Sequence, residues 1–371
     1  MKPTSRATRL LPLVAFLAPG LLSAQQWTPE QAQTWAKTQP WRAGANFAPS
    51  TAINQLEMWQ AETFDPATID RELGWAASVG MSTMRVFLHN LLWEQDSEGL
   101  LKRMDQFLTI ADKHKIGIMF VLFDDVWDPN PQLGKQREPK PHVHNSGWVQ
   151  SPGKAVLLDE KKRAALEPYV KGVLTRFKDD KRVIVWDLYN EPGNPNKSAY
   201  GSEEIPNKPE LSLDLVKKCF KWAQEVRPSQ PLTIGVWTND WSTKEKRDAL
   251  NAYQLDHSDV ISFHAYSDLA KTKAATEPLF EYKRPVICTE FMARPAGSKL
   301  QEILPYFKEK GVWAYQWGLV AGKTQTQYPW DSWKKTYDAE PPVWFHELFH
   351  KDGKAYDPEE TALYKKLTGA P

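Results

Sequence analysis

Short apolar runs rich in β-branched and aromatic residues recur along this chain, and between them lie stretches with helical spacing. Eight runs read as strands: Arg42–Pro49, Ser82–His89, Gly117–Asp124, Val183–Asn190, Leu232–Trp237, Val260–Tyr266, Pro285–Phe291 and Gly311–Leu319. Asp65-Pro66 starts a helix with Ile69, Leu73, Ala76 and Ala77 on one face, ending at Gly80. Leu100, Met104, Phe107, Leu108 and Ala111 line a second helix, and Leu166, Val170, Val173, Leu174 and Phe177 a third. Leu215, Val216, Cys219, Phe220 and Ala223 line a fourth, and Leu300, Ile303, Leu304 and Phe307 a later one. Periodicity is poor between the fifth, sixth and seventh strands. A last helix is expected near Pro341-Pro342, carrying Trp344, Phe345 and Leu348.

Strands alternating with helices predict an α/β fold with a parallel sheet, and eight units is the number that closes a (β/α)8 TIM barrel. An open doubly wound sheet would carry a glycine-rich phosphate loop after its first strand, and Gly44-Ala45-Asn46-Phe47 is not one. Three stretches after strand ends are long: Asp125 to Leu158, Gly193 to Leu211 and Val320 to Glu340. All lie on the face where barrel sites form. They would wall off one end of a groove and favour action on chain ends.

The first 24 residues change the picture of the mature chain. Lys2, Arg6 and Arg9 precede an apolar run from Leu10 to Leu22, and Leu22-Ser23-Ala24 offers a small-residue cleavage site. This is the layout of a secretory signal, too short to span a bilayer. Cleavage near Ala24 predicts a secreted or periplasmic protein in which residues 25–371 form one catalytic domain. Losing three basic residues drops Lys plus Arg from 47 to 44, against 46 Asp plus Glu. That balance excludes a nucleic-acid footprint or a polybasic membrane patch, and a monomer is expected. Two cysteines, Cys219 and Cys288, make neither a disulfide framework nor a zinc site. Both lie in apolar patterns and read as buried free thiols, with a single disulfide as the alternative in an oxidising compartment.

Charged and polar residues crowd the ends of the apolar strands. Strand four reads Val183-Ile184-Val185-Trp186-Asp187-Leu188-Tyr189-Asn190-Glu191-Pro192, and strand seven ends Cys288-Thr289-Glu290-Phe291. Burying a glutamate at the end of an apolar strand is costly unless it is paired or functional. In a closed barrel these two ends face each other across the mouth, and two facing carboxylates are what glycosidic bond cleavage requires. The chain has 17 Trp, 12 Tyr and 15 Phe, many in loop-like sequence, including Trp127, Trp148, Trp237, Trp330 and Trp333. Such rings suit the apolar faces of sugars.

The segment Trp186 to Pro192 resembles the Asn-Glu-Pro motif of clan A glycoside hydrolases, particularly family 5 and its cellulase-like relatives. Thr289-Glu290-Phe291 is similar to their nucleophile strand, and Arg85, His264-x-Tyr266 and Trp317 match in kind and strand position. The resemblance covers nearly all of the mature chain and implies a retaining β-glycosidase acting on an oligo- or polysaccharide of glucan, mannan or xylan type. It implies Glu191 as acid/base and Glu290 as nucleophile. Arg85 and Tyr266 would hold Glu290 ionised, Asn190 would bond the sugar's C2 hydroxyl, His264 would tune Glu191, and Trp317 would floor the subsite.

Departures concern the substrate. Asp124 stands where the family places a histidine and is expected to contact a sugar hydroxyl. His89 is expected to share that task, and Trp237 to bind an adjacent sugar. No metal or cofactor is expected: His142-x-His144 lacks further ligands, and Asp124-Asp125 lacks calcium-ligand spacing. A non-catalytic carbohydrate-binding protein on the same scaffold is the alternative function. An acyl hydrolase would need a Gly-x-Ser-x-Gly elbow, and a phosphoryl transferase a glycine-lysine cradle; neither is present.

Overall fold

A computed structural model describes residues 26–370; the leader-like segment, residues 1–24, lies outside them. The eight expected strands all form: β1 (Ala43–Asn46), β2 (Thr83–Phe87), β3 (Gly117–Val121), β4 (Val183–Asp187), β5 (Leu232–Thr233), β6 (Ile261–Ala265), β7 (Val286–Phe291) and β8 (Trp313–Trp317). They are parallel, in the order β5-β4-β3-β2-β1-β8-β7-β6. A parallel bridge between Val236 and Phe263 joins the two ends, with Val236 N donating to Ser262 O at 3.0 Å and His264 N to Val236 O at 3.0 Å. The sheet therefore closes into a (β/α)8 barrel, which leaves no unpaired edge.

The pleat sorts side chains between two layers. On β2, Met84 and Val86 pack into the layer under the helices, while Thr83 and Arg85 turn inward. On β8, Trp313 and Tyr315 fill the lower interior with Met119, Val185 and Ile287. Strand β7 departs from strict alternation: Ile287 faces the interior layer and Cys288 the helix layer, so Glu290, two residues beyond Cys288, would turn outward. A register irregularity between Cys288 and Phe291 re-aims it into the barrel. At Gly44 a Cβ would lie 1.7 Å from the Thr83 carbonyl oxygen, so the close β1–β2 approach requires glycine there.

Helices Pro66–Ser78, Asn90–Lys113, Glu167–Phe177, Lys208–Val226 and Leu300–Lys310 form where helical spacing was clear. Asp65 caps the first, accepting from Thr68 N at 3.0 Å. The poorly patterned stretches hold the shorter helices Ala249–His257 and Leu269–Thr276. An N-terminal helix, Pro29–Lys37, sets Trp35 on Trp313 with ring centroids 5.4 Å apart, covering the bottom of the barrel. Cys219 and Cys288 are buried, with free thiols. No helix among the described residues is long and apolar enough to cross a membrane.

One expectation is corrected. Residues 341–348 are not helical, and the last helix is Pro358–Thr368. Trp344, Phe345 and Leu348 are buried as expected, but their backbone bonds elsewhere. Phe345 N donates to Gln327 O and Leu348 N to Leu319 O, and the Arg294 guanidinium takes the carbonyls of Trp344, His346 and Glu347. Glu347 itself has φ +67°, outside any helix. Tertiary partners for each backbone group outweigh a helix-like spacing of apolar residues.

Two acids behind β8 are buried together. Burial pushes Glu347 up to about 8, and the nearby Glu72 adds to this; Glu72 is itself pushed up to about 7, chiefly by burial. For a carboxyl whose folded-state pKa is raised, stability is fullest below the unfolded value and falls as pH rises through the folded one. The melting temperature should therefore fall between about pH 5 and about pH 8. Glu347→Gln should flatten that slope, and a variant whose slope equals that of the parent would contradict the assignment.

Candidate active site

Arg85, on β2, is wholly buried at 0% exposure. A guanidinium in that position must have its donors and its charge met. Its Nε and Nη2 donate to Asp187 Oδ2 at 2.9 and 2.8 Å, and Nη1 to Asn46 Oδ1 and Glu290 Oε1, both at 2.8 Å. Nη2 also donates to Asn190 Oδ1 at 2.7 Å. Burial opposes the charge, but Asp187 and Glu290 outweigh it and hold Arg85 protonated. One cation thus ties β1, β2, β4 and β7 at the barrel's upper end.

Glu290 receives its second oxygen's bond from Tyr266 Oη at 2.8 Å. Across the mouth, Glu191 follows β4 in a left-handed turn, φ +43°, which lifts its side chain over the strand end. Its Oε1 lies 2.8 Å from His264 Nδ1, and Asn194 Nδ2 donates to its Oε2 at 2.6 Å. His264 Nδ1 is also 3.5 Å from Glu290 Oε2. One oxygen from each glutamate and this ring nitrogen lie within 4.8 Å of one another. That spacing could admit a cation, but each of the four carboxylate oxygens already has a protein partner.

The two acids differ in proton affinity. Burial pushes Glu191 up to about 7, only partly offset by Asn194 and Arg85. Burial also raises Glu290, to about 6; His264, Arg85 and the Tyr266 hydroxyl oppose this while Glu191 adds to it. Burial lowers His264 to about 4, so the ring is neutral near pH 7.

These groups line a cavity of about 1050 Å³ with Asn190, Trp237 and Trp317. Trp237 Nε1 donates to Pro192 O at 3.2 Å, which steadies it beside Glu191. Two expected contacts lie elsewhere. Asp124 is 1% exposed, accepts from Asn190 Nδ2, Val126 N and Trp148 Nε1, and does not line the cavity. It orients Asn190 instead of a sugar. His89 is 0% exposed; its Nε2 meets Gln150 O and its Nδ1 accepts from Leu91 N, capping a helix. Both are kept out of the cavity lining by the same feature: residues 148–151 fold back over the ends of β2 and β3.

Sequence reasoning missed Asp187, Asn46 and Asn194, which hold the glutamates and Arg85, and the lining residues Asn145 and His346; Trp330, one of the rings expected to face sugar, also lines the cavity. Asp187 was legible as an inward residue two before the expected Tyr189-Asn190-Glu191 run. His142 and His144 each bond a backbone carbonyl, of Tyr337 and Tyr328, and so join loops.

Comparisons agree with this architecture. The cellulase family, glycosyl hydrolase family 5, matches residues 76–339. No curated protein matches the chain in sequence. Among solved structures, a GH5_18 protein from Streptomyces cattleya in complex with Manβ1-4GlcNAc superposes with a TM-score of 0.59 at 13% identity, over 88% of this chain and 80% of its own. The β-mannanase of the blue mussel Mytilus edulis gives 0.54 at 17%, over 81% and 93%. The exo-β-1,4-mannosidase Op5Man5 from Opitutaceae bacterium strain TAV5 gives 0.60 at 18%, over 89% of this chain but 59% of that protein. At such identities these structures speak to the fold.

Removing one anion from Arg85 should tighten its hold on the other. Asp187→Asn should lower the pKa of Glu290, followed by carboxyl NMR titration. Asp187→Leu leaves the buried cation half-paired and should cost about 3–5 kcal/mol of stability in denaturant unfolding. An unshifted Glu290 in Asp187→Asn would deny that the two acids share one cation.

Proposed function

The chain belongs to glycosyl hydrolase family 5, and from that premise we propose that it is a retaining β-glycosidase of β-linked glycans, with Glu290 as nucleophile and Glu191 as acid/base. The observation that carries this reading is the opposed pair itself, whose nearest oxygens lie within 4.8 Å. Retaining pairs stand about 5–5.5 Å apart and inverting pairs about 6.5–9.5 Å, because inversion needs room for a water.

In the first step a Glu290 oxygen bonds to the anomeric carbon as the glycosidic C–O bond breaks, and the leaving oxygen takes the proton of Glu191. Glu191, now a carboxylate, then draws a proton from water as that water attacks the same carbon and releases Glu290. The difference in proton affinity supports the assignment: the carboxyl held near 7 keeps its proton while the one held near 6 gives its up. Arg85 and Tyr266 keep the nucleophile aimed, and neutral His264 bonds Glu191 in either protonation state. Asn190 keeps one amide hydrogen for the C2 hydroxyl of the sugar, its other being held by Asp124. Trp317 would floor the ring of the sugar undergoing attack. The leader-like first 24 residues support export before the enzyme acts.

A binding protein without turnover would have no use for a nucleophile fixed by a buried guanidinium, so catalysis is the favoured reading. The test is hydrolysis of para-nitrophenyl β-mannoside, β-glucoside and β-xyloside, mannosides being included because the structural neighbours above act on or bind them. Glu290→Ala should abolish turnover, and azide should restore part of it. Glu191→Ala should lose about 10²–10⁴-fold on poor leaving groups while sparing activated aryl glycosides. Normal turnover by Glu290→Ala would end this mechanism.

The profile of kcat/KM against pH should be a bell. Its acid limb reflects protonation of the nucleophile and its alkaline limb loss of the acid's proton, with apparent values near about 6 and about 7 belonging to the coupled pair. Glu191→Gln should lose the alkaline limb; its persistence would assign that proton elsewhere.

A further inference from the structure

The cavity is unequal at its two ends. Toward residues 193–213 and 237–250 it meets exposed side chains such as Lys197, Glu210 and Asn239. Where the segments after β3 and β8 border it, the cavity ends against Trp127, His144, Asn145 and His346, each 7% exposed or less, with Trp127 N donating to Asn196 Oδ1 at 2.7 Å. Behind Trp317, toward β1 and β2, the rings of Phe87 and Trp148 pack edge-on against it at 5.8 and 6.1 Å. What space remains there is a void of about 20 Å³, room for about one water.

This end is a built wall. Segment 124–153, after β3, and segment 318–349, after β8, are cross-bonded. Asn145 N donates to Thr324 O at 2.7 Å, His144 N to Ser332 Oγ at 2.9 Å, and Trp333 Nε1 to His144 O at 2.8 Å. Trp127 and Trp333 stack with centroids 5.7 Å apart. A glycan chain passing beyond the sugar over Trp317 would have to break these contacts.

Asn145 is the wall residue left unpaired at both of its side-chain polar atoms; Gln327 Oε1 and Glu347 Oε2, in the same wall, each lack one partner. It is 1% exposed and borders the cavity, yet neither its side-chain oxygen nor its nitrogen has a partner. A buried amide left unpaired is destabilising, a burden that a ligand supplying both a donor and an acceptor would lift. A sugar hydroxyl supplies both. Its backbone, at φ +49°, is in the left-handed region, which fixes where the amide sits.

We infer that the enzyme is exo-acting: the walled end takes one non-reducing terminal sugar, Asn145 bonds that sugar's hydroxyls, and the rest of the glycan leaves toward residues 237–250. This rests on the hydrolase reading above. The test uses the three para-nitrophenyl glycosides together with β-1,4-linked mannotetraose, cellotetraose and xylotetraose. The first products from the tetrasaccharide that is cleaved should be monosaccharide and trisaccharide. Asn145→Gly keeps the left-handed backbone and removes the amide; it should lower kcat/KM on the aryl glycoside about tenfold or more. Its ligand-free melting temperature should stay within about 2 °C of the parent or rise, since no protein hydrogen bond is lost. Disaccharide among the first products, or an Asn145→Gly enzyme with parental kcat/KM, would overturn the inference while leaving the hydrolase reading intact. Inertness toward every one of these glycosides would remove the hydrolase reading and this inference with it.

Discussion

The buried guanidinium of Arg85 is the constraint on which the rest of the site depends. It keeps its charge at any pH the protein meets, so its burial is tolerable only with anions and acceptors in contact. Those partners come from three strand ends around β2: Asn46, Asp187 with Asn190, and Glu290. Barrel closure brings these ends together, and the cation then fixes their spacing. The position of Glu290 is thereby set by the barrel frame and not by loop conformation.

That frame also sorts the two acids. Both are buried, and burial alone would raise both. Only Glu290 touches the cation, whereas Glu191 is bonded by the neutral His264 and by the Asn194 amide. Asn194 is in turn held from outside the barrel. The buried Lys208 donates to the Asn194 carbonyl at 2.9 Å and pairs with Glu204 at 2.9 Å. One carboxylate is thus fixed by the buried cation, the other by a β6 histidine and the segment after β4. This division explains how two like residues a few ångströms apart come to hold protons differently.

What the sequence reveals follows from the range of the physics involved. Strands and their inward residues were legible because pleating is local: an apolar run ending in Arg85, Asn190-Glu191, His264 or Glu290 marks both the strand and its functional end. Membership of the barrel class followed from the count of such runs. Asp124 and His89 lie beyond the ends of β3 and β2, where alternation no longer says which way a side chain turns. Their partners come from residues 148–151, which fold back through contacts no local pattern encodes. Residues 344–348 have helical apolar spacing but find backbone partners at 319, 327 and Arg294. Asn145 was invisible for a related reason, since an unpaired amide is defined only by what surrounds it.

The wall that ends the cavity and the proton affinity of Glu191 are linked through solvent. Trp127, Trp317, Trp330 and His346 border the same cavity as the two glutamates, and the rings around them pack that side closely. Desolvation is the largest influence raising Glu191 and Glu290 alike. The packed side that stops a chain from passing is therefore also part of what keeps an acid protonated near neutral pH. Opening the wall to admit a longer chain would let water reach the glutamates and lower both affinities. The nucleophile has its cation to fall back on, and the acid has none in direct contact. In this architecture the place where a glycan must end and the ability to protonate its leaving group draw on the same packed aromatic loops, so one cannot be altered without moving the other.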